Sequence, residues 1–263
     1  MRSNKLKNMK EIEKLHKKGL NDSQIAKKLS LTPSAIMYWR KKLNLKSNYK
    51  SEQRFNYNNT INENKQVKAA LVGTLLGDAS LHINNITKGN SATGSFHHCI
   101  DQKEYFYYKY EILKDICNIP FKKKGGKKYF KRDNRYINAQ DQYGVNFKSN
   151  PNLVNLHKLL YKNGEKVITS KLLEDFNELS LALLYCDDGN KLYSKRGGVK
   201  YIISTCCFST KSINIFRKFI KEKWNINSTI LGNNKLYIKR DSCDIFRQTI
   251  EPYVIESMKY KLK

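Results

Sequence analysis

Acidic residues are scarce in this sequence. Only 23 Asp and Glu stand against 50 Lys and Arg among 263 residues, a formal charge of +27. That deficit points to a polyanionic partner. Long apolar runs are missing too: none approaches the ~18 residues that read as a bilayer span. The N-terminal stretch MRSNKLKNMKEIEK lacks the apolar segment of a secretory signal. No amphipathic helix offers a strongly apolar outer face as a surface anchor, so nucleic acid rather than membrane is the expected partner. The six cysteines, Cys99, Cys117, Cys186, Cys206, Cys207 and Cys243, form no Cys-x-x-Cys pair and are expected to be reduced. His97 and His98 precede Cys99, but neighbours on a strand point to opposite faces, and no second ligand cluster follows at zinc spacing. They read as sheet residues facing DNA, not as a zinc site.

What is present begins with three short helical patterns over residues 9–43. Ile12 and Leu15 mark the first, which Gly19 terminates. Asp22 is placed to cap a second, carrying Ile25, Ala26 and Leu29. Thr32 caps a third, with Pro33 at its first position and Ile36, Trp39 and Leu43 facing inward. The piece QIAKKLSLTPSAIMYWRKKL looks like a helix-turn-helix in which Ser30 stands at the usual glycine of the turn. Residues 1–45 are therefore expected to form a small all-α DNA-binding domain. Its third helix would present Ser34, Met37, Tyr38 and Lys41 to the major groove. Residues 1–66 carry 16 Lys and Arg against five Asp and Glu, net +11, which leaves +16 for the rest. Residues 46–66, Asn-rich and poor in aliphatics, read as a flexible linker, whose ~20 residues reach about 25 Å.

From residue 67 the pattern is helix 67–77, strands 79–86 and 93–100, helix 102–117, strands 128–132 and 136–148, then helix 151–162. The order then starts again. A helix ends at Asp187, strands follow near 191–194 and 199–208, with a helix at 211–224, strands at 226–231 and 235–239, and a helix from Asp241. This is an internal repeat. In LVGTLLGDAS (71–80) and LALLYCDDGN (181–190) an apolar helix ends on an Asp at the same register. These acids, Asp78 and Asp188, lie 110 residues apart. A helix C-terminus already carries about −0.5 of a charge, so acids there call for a cation. Gly73 and Gly77, four apart on one face, would let two such helices approach closely. Paired carboxylates and free carbonyls suit a hard divalent ion, magnesium above all.

Those two motifs resemble the LAGLIDADG homing endonucleases in their single-chain, two-motif form, and the resemblance covers roughly residues 67–262. It implies an α+β fold of two pseudo-symmetric αββαββα repeats, residues 67–165 and 166–263, forming a DNA-binding saddle. It also implies a monomer with an internal pseudo-two-fold axis. By the same resemblance Asp78 and Asp188 are the metal-binding acids, and the carbonyls of Gly77 and Asp187 also face metal. EPYVIESMKYKL (251–262) is similar to the family's closing segment and places Lys261 in the active site. EKVIT (165–169) places Lys166 as its counterpart, although Thr169 stands where a proline is usual. The motifs depart from the family pattern at Ala79, Leu183 and Asp187, and the Leu183 and Asp187 departures are expected to loosen the helix packing.

The expected activity is magnesium-dependent hydrolysis of both strands of a long asymmetric DNA site, with Mn2+ as a substitute ion, promoting mobility of the coding element. Bound divalent ions activate water, neutralise phosphate and stabilise the leaving oxygen, and a nearby lysine stabilises developing charge. Base contacts are expected from Gln140, Gln142, Lys200, Lys235, Lys239 and Arg240. The setting implied is intracellular, with DNA: a bacterium, a virus-infected cell, or an organelle such as the mitochondrion. Two rivals remain, a non-catalytic DNA-binding regulator and an intron RNA maturase.

Overall fold

A computed structural model of the chain describes residues 2–48, 61, 63–84, 91–130, 134–193 and 198–262. The chain divides into two compact units, residues 1–56 and 57–263. No described helix is long and apolar enough to cross a membrane.

In the first unit, α1 (Arg2–Lys17), α2 (Asp22–Leu29) and α3 (Pro33–Lys42) enclose Ile12, Leu15, Ile25, Ala26 and Ile36, with Leu29, Trp39 and Leu43 packed against them. Thr32 caps α3 through the Ala35 N–H, as its position suggests. The α2 cap is different: Asn21 takes the Gln24 N–H in a capping box, and Asp22 is already inside the helix. The Asp22 carboxylate is instead committed to Arg40 of α3, at 2.8 and 3.0 Å. Ser30 accepts the left-handed backbone, φ 53°, that a glycine usually supplies.

Residues 49–60 of the expected linker lie outside the described residues. Of the remainder, Ile61 is buried in the second unit's core. Asn64 caps α4 (Lys65–Leu76) by accepting the N–H groups of Gln66 and Val67.

The second unit repeats one plan. After α4 come β1 (Ser80–Ile83), β2 (Ala92–Cys99), α5 (Lys103–Leu113), β3 (Phe121–Lys123), β4 (Gly126–Phe130), β5 (Arg135–Ala139), β6 (Gln142–Asn146) and α6 (Asn152–Leu160). A short hairpin, β7 (Tyr161–Lys162) and β8 (Glu165–Lys166), leads to α7 (Ser170–Leu173) and α8 (Glu178–Asp188). Then follow β9 (Gly189–Tyr193), β10 (Val199–Ile203), α9 (Thr210–Trp224), β11 (Ser228–Leu231), β12 (Lys235–Ile238) and α10 (Cys243–Ile250). The two antiparallel sheets have the orders β1-β2-β6-β3 and β9-β10-β12-β11, strand for strand the same. The fold class is α+β, as expected from the motifs.

Two of the differences from the sequence pattern bear on the sheets. The strand expected over 136–148 is two strands, β5 and β6, which belong to different sheets. Asp141 breaks it: its carboxylate accepts the Gly125 N–H and its carbonyl accepts the Ile100 N–H, which turns the chain. The hairpin β4–β5 therefore stands apart from the sheet core. Strand β3, Phe-Lys-Lys, is exposed throughout and has no apolar alternation to announce it. It is an edge strand, where lysines are common.

Helices α4 and α8 form the centre. Ala69–Leu76 and Leu179–Cys186 are buried on every side, the pattern of core helices rather than amphipathic ones. Gly73 makes their approach possible: a Cβ there would lie 2.5 Å from the carbonyl oxygen of Ser180. The Ser180 hydroxyl donates to the carbonyl of Ala69 at 2.7 Å, so the contact is also hydrogen-bonded.

Candidate active site

The C-terminal tips of α4 and α8 bring three carboxylates together. Asp78 follows α4, and Asp187 and Asp188 close α8. The Asp78 carboxyl is raised above the ordinary range by burial first and then by Asp187, with Lys109, Lys261 and Lys166 opposing. Asp188 is pushed up to about 6 by burial, Asp78 and Asp187, against Lys166 and Lys261. Asp78 and Asp188 are thus close enough to repel each other, and both remain partly open to solvent.

The two lysines singled out in the sequence sit at these tips. Lys166 of β8 donates to the carbonyls of Leu75, Gly77 and Ala79 at 2.8, 3.0 and 2.8 Å. Lys261 donates to the carbonyl of Cys186 at 2.6 Å and, at 3.4 Å, to that of Asp187. Each lysine supplies positive charge to its helix's negative end. Burial holds both below the usual lysine range, while the surrounding acids oppose it. They are not equivalent. An ammonium has three donors; those of Lys166 are all engaged on carbonyls, whereas among the described residues Lys261 meets two acceptors and keeps one donor. The carbonyls of Gly77 and Asp187, expected to face metal, both accept a lysine here and each retains a second lone pair.

Asp187 departs from the small residue expected at its place, yet the helices are not loosened. Its side chain is wholly buried in the space left by Gly77. Its oxygens accept the Lys109 ammonium at 2.8 and 2.9 Å, the Tyr105 hydroxyl at 2.7 Å and the Asp78 N–H at 3.2 Å. Lys109 is itself fully buried and lies 3.1 Å from Nε2 of His98. The reading of His98 as a DNA-facing residue is corrected: inward alternation along β2 sends it into the core, and only His97 lies on the outer face. Burial first, then the Lys109 ammonium, pulls the His98 ring down to about 4, against the influence of Asp187 and Gln102.

Donor atoms of Asp78, His98 and Asp187 lie within 4.8 Å of one another, an arrangement that could hold a metal ion. The contacts argue otherwise. Lys109 already supplies the positive charge between Asp187 and His98, and the Asp187 oxygens are committed to four hydrogen bonds from three groups. The carboxylates left for a divalent cation are those of Asp78 and Asp188, whose mutual repulsion a cation would relieve. Sequence reasoning missed Lys109, Tyr105 and His98. One signal was available: Lys109 stands four residues after Tyr105, on the apolar face of its helix.

The expected DNA contacts fall in several places. Gln142 shares the outer face of the first sheet with its register partners Cys99 and Lys123. Lys200 and Lys235 lie on the outer face of the second, where the Lys200 ammonium sits 5.9 Å from the Tyr237 ring centroid. Lys239 and Arg240 follow β12 and are exposed. Gln140 lies at the bend before β6 and donates to Asp101 at 3.2 Å. In the first unit Ser34, Met37, Tyr38 and Lys41 are exposed on α3.

Comparison with known proteins agrees with this architecture. A model of the LAGLIDADG DNA endonuclease family matches residues 68–246. The chain is 29% identical over 212 residues to a protein named cytochrome b mRNA maturase bI2 of Saccharomyces cerevisiae. That match covers 76% of this chain and 48% of the yeast protein, so the chain spans about half that relative's length. It is 24% identical over 212 residues to DNA endonuclease I-ChuI of Chlamydomonas applanata, covering 75% of this chain and 94% of that protein. Among solved structures, the homing endonuclease I-WcaI bound to its DNA recognition sequence is similar with a TM-score of 0.65. That likeness, at 21% identity over 82% of this chain and 94% of the other, is one of fold. With well over half its length matched by the family model, the chain belongs to the LAGLIDADG DNA endonuclease family.

Proposed function

We propose that this protein is a site-specific, divalent-cation-dependent endonuclease that cuts both strands of a long asymmetric DNA target and so promotes mobility of its coding element. The observation that carries the reading is the convergence of Asp78 and Asp188 at the tips of two buried, pseudo-symmetric helices. Burial raises both carboxyls, with Asp187 adding to the effect at Asp78, and Asp78 and Asp187 adding to it at Asp188. Magnesium is the resident ion in this reading, with manganese as a substitute. When bound, a divalent ion supplies activated water and neutralises charge on the phosphate and the leaving oxygen.

The chain's own residues do the rest. Asp78 and Asp188 hold the cation, and Asp187 holds the Asp78 backbone through the N–H it accepts. Lys261 aims its unused donor at developing phosphate charge. The outer faces carrying Gln142, Lys200 and Lys235 read the major groove, and Lys239, Arg240 and Gln140 extend that surface. We assign the first unit as a helix-turn-helix in which Ser34, Tyr38 and Lys41 touch flanking DNA.

A second reading, action on intron RNA, is favoured by one observation: a relative at 29% identity is named a maturase. One experiment tests both. The full chain is incubated with a randomised duplex library and Mg2+, in parallel with Asp78→Asn and Asp188→Asn. Staggered duplex cuts that vanish in both variants, with DNA binding kept, support the nuclease. Binding without cuts by the parent chain overturns it, and Mg2+-dependent splicing of a cognate intron transcript then selects the RNA role.

A further inference from the structure

Beneath Asp78 a buried chain of polar groups runs from the second motif back to the first. The Lys109 ammonium gives two hydrogen bonds to Asp187 and lies 3.1 Å from Nε2 of His98. Lys109 and the Asp187 side chain are wholly buried, and the His98 ring is 1% exposed. An ammonium only donates. The lone pair it meets must therefore be on Nε2, which puts the proton of the neutral ring on Nδ1. Nδ1 is buried and has no hydrogen-bond partner within normal geometry, although the Gln102 side chain also makes a polar contact with the ring. It faces Oδ2 of Asp78 at 3.7 Å, just beyond hydrogen-bond length. Closing that gap would satisfy a donor that is costly to leave unpaired.

We propose that His98 is the positioning residue for Asp78: locked by Lys109 in its Nδ1–H form, it donates to Oδ2 and leaves the other carboxylate oxygen directed at a divalent cation. The inference rests on the nuclease reading, which makes Asp78 a cation ligand, and goes beyond it by naming what orients that ligand. A second N–H, on Nε2, would point at the Lys109 ammonium, so the ring donates without carrying charge and Asp78 keeps its full charge for the cation. The arrangement is one-sided. Among the described residues no side chain donates to the Asp188 carboxylate, so the two acids are differently constrained.

The test combines spectroscopy with metal binding on the full chain. With nitrogen-15-labelled histidine, near neutral pH and without metal, His98 should show a protonated Nδ1 and an unprotonated Nε2; the signal is assigned by its loss in His98→Asn. In Mn2+ titration calorimetry, His98→Leu should weaken binding about 10- to 100-fold, the usual cost of removing a group that orients a metal ligand. His98→Asn, whose amide N–H stands close to the position of Nδ1–H, should recover most of that loss. An Nε2–H ring or an imidazolium overturns the proposal. So does unchanged Mn2+ affinity in a folded His98→Leu, or His98→Asn binding no better than His98→Leu. Should His98→Leu fail to fold, the tautomer of the unaltered chain decides alone. Failure of the parent reading is distinguishable: a chain with the Nδ1–H ring and the Mn2+ effect that leaves DNA uncut keeps the relay and loses the nuclease.

Discussion

Gly77 and Asp187 stand at the same step of the two motif helices and fill a single space: a Cβ on Gly77 would lie 2.5 Å from Oδ2 of Asp187. The pseudo-symmetric centre is therefore asymmetric at its closest contact, one side giving up its side chain so that the other can bury a carboxylate. Gly77→Ala should destabilise the protein by about 1–3 kcal/mol, the range for overpacking a tight interior. Gly198→Ala, with open space around its added Cβ, is the control. Denaturant unfolding of both variants checks this; equal midpoints would mean that Asp187 moves aside at no cost.

The raised carboxyl of Asp188 sets a pH dependence. Its folded value of about 6 exceeds the ordinary 3.8, so the folded state binds that proton more tightly than the unfolded chain. The stability this contributes is present at low pH and lost as pH rises toward 6. In chelator at about pH 8, Asp188→Asn should melt at a higher temperature than the parent, and the gap should close as pH falls from 6 to 4. Added Mn2+ should raise the melting temperature of the parent more than that of the variant. A parent that is already the more stable in chelator would mean that the lysines fully neutralise the site.

Lys166 and Lys261 should separate in their effects. Lys166 spends three donors on helix-end carbonyls, so Lys166→Met should cost mainly stability, about 1–3 kcal/mol for the acceptors it leaves. Lys261→Met should slow single-turnover cleavage about 100- to 1,000-fold, the cost of losing one aimed donor, with a far smaller change in DNA affinity. Rates and binding measured on both variants check the split; identical profiles would mean that the spare donor of Lys261 has no special role.

Truncation is best placed at residue 56. Ile61 is buried in the second unit's core and Asn64 caps α4, so cutting after residue 66 would damage the unit that remains. Removing residues 1–56 should lower DNA affinity and flatten its salt dependence by about 0.9 in log–log slope per lost phosphate contact. An unchanged slope would show that the first unit makes no phosphate contact.

Much of this molecule is written locally in its chain. Apolar periodicity marked the helices, the spacing of two Asp-ending motifs marked the repeat, and the excess of lysine marked a polyanionic partner. Each of these depends on residues within one turn, one strand or one composition count. Other features needed the folded chain. Nothing near Lys109 in sequence announces a carboxylate 78 residues away, nor that His98 would turn inward to meet it. Asp187 reads locally as a misfit in a helix interface, and only the cavity opposite Gly77 makes it a fit. Asp141 likewise breaks a run that alternation alone would continue, because its partners Gly125 and Ile100 are brought to it by the sheet. Burial explains the difference. A charge pair taken out of water is tolerable only with its partners in place, and those partners come from distant segments that only the tertiary structure brings together.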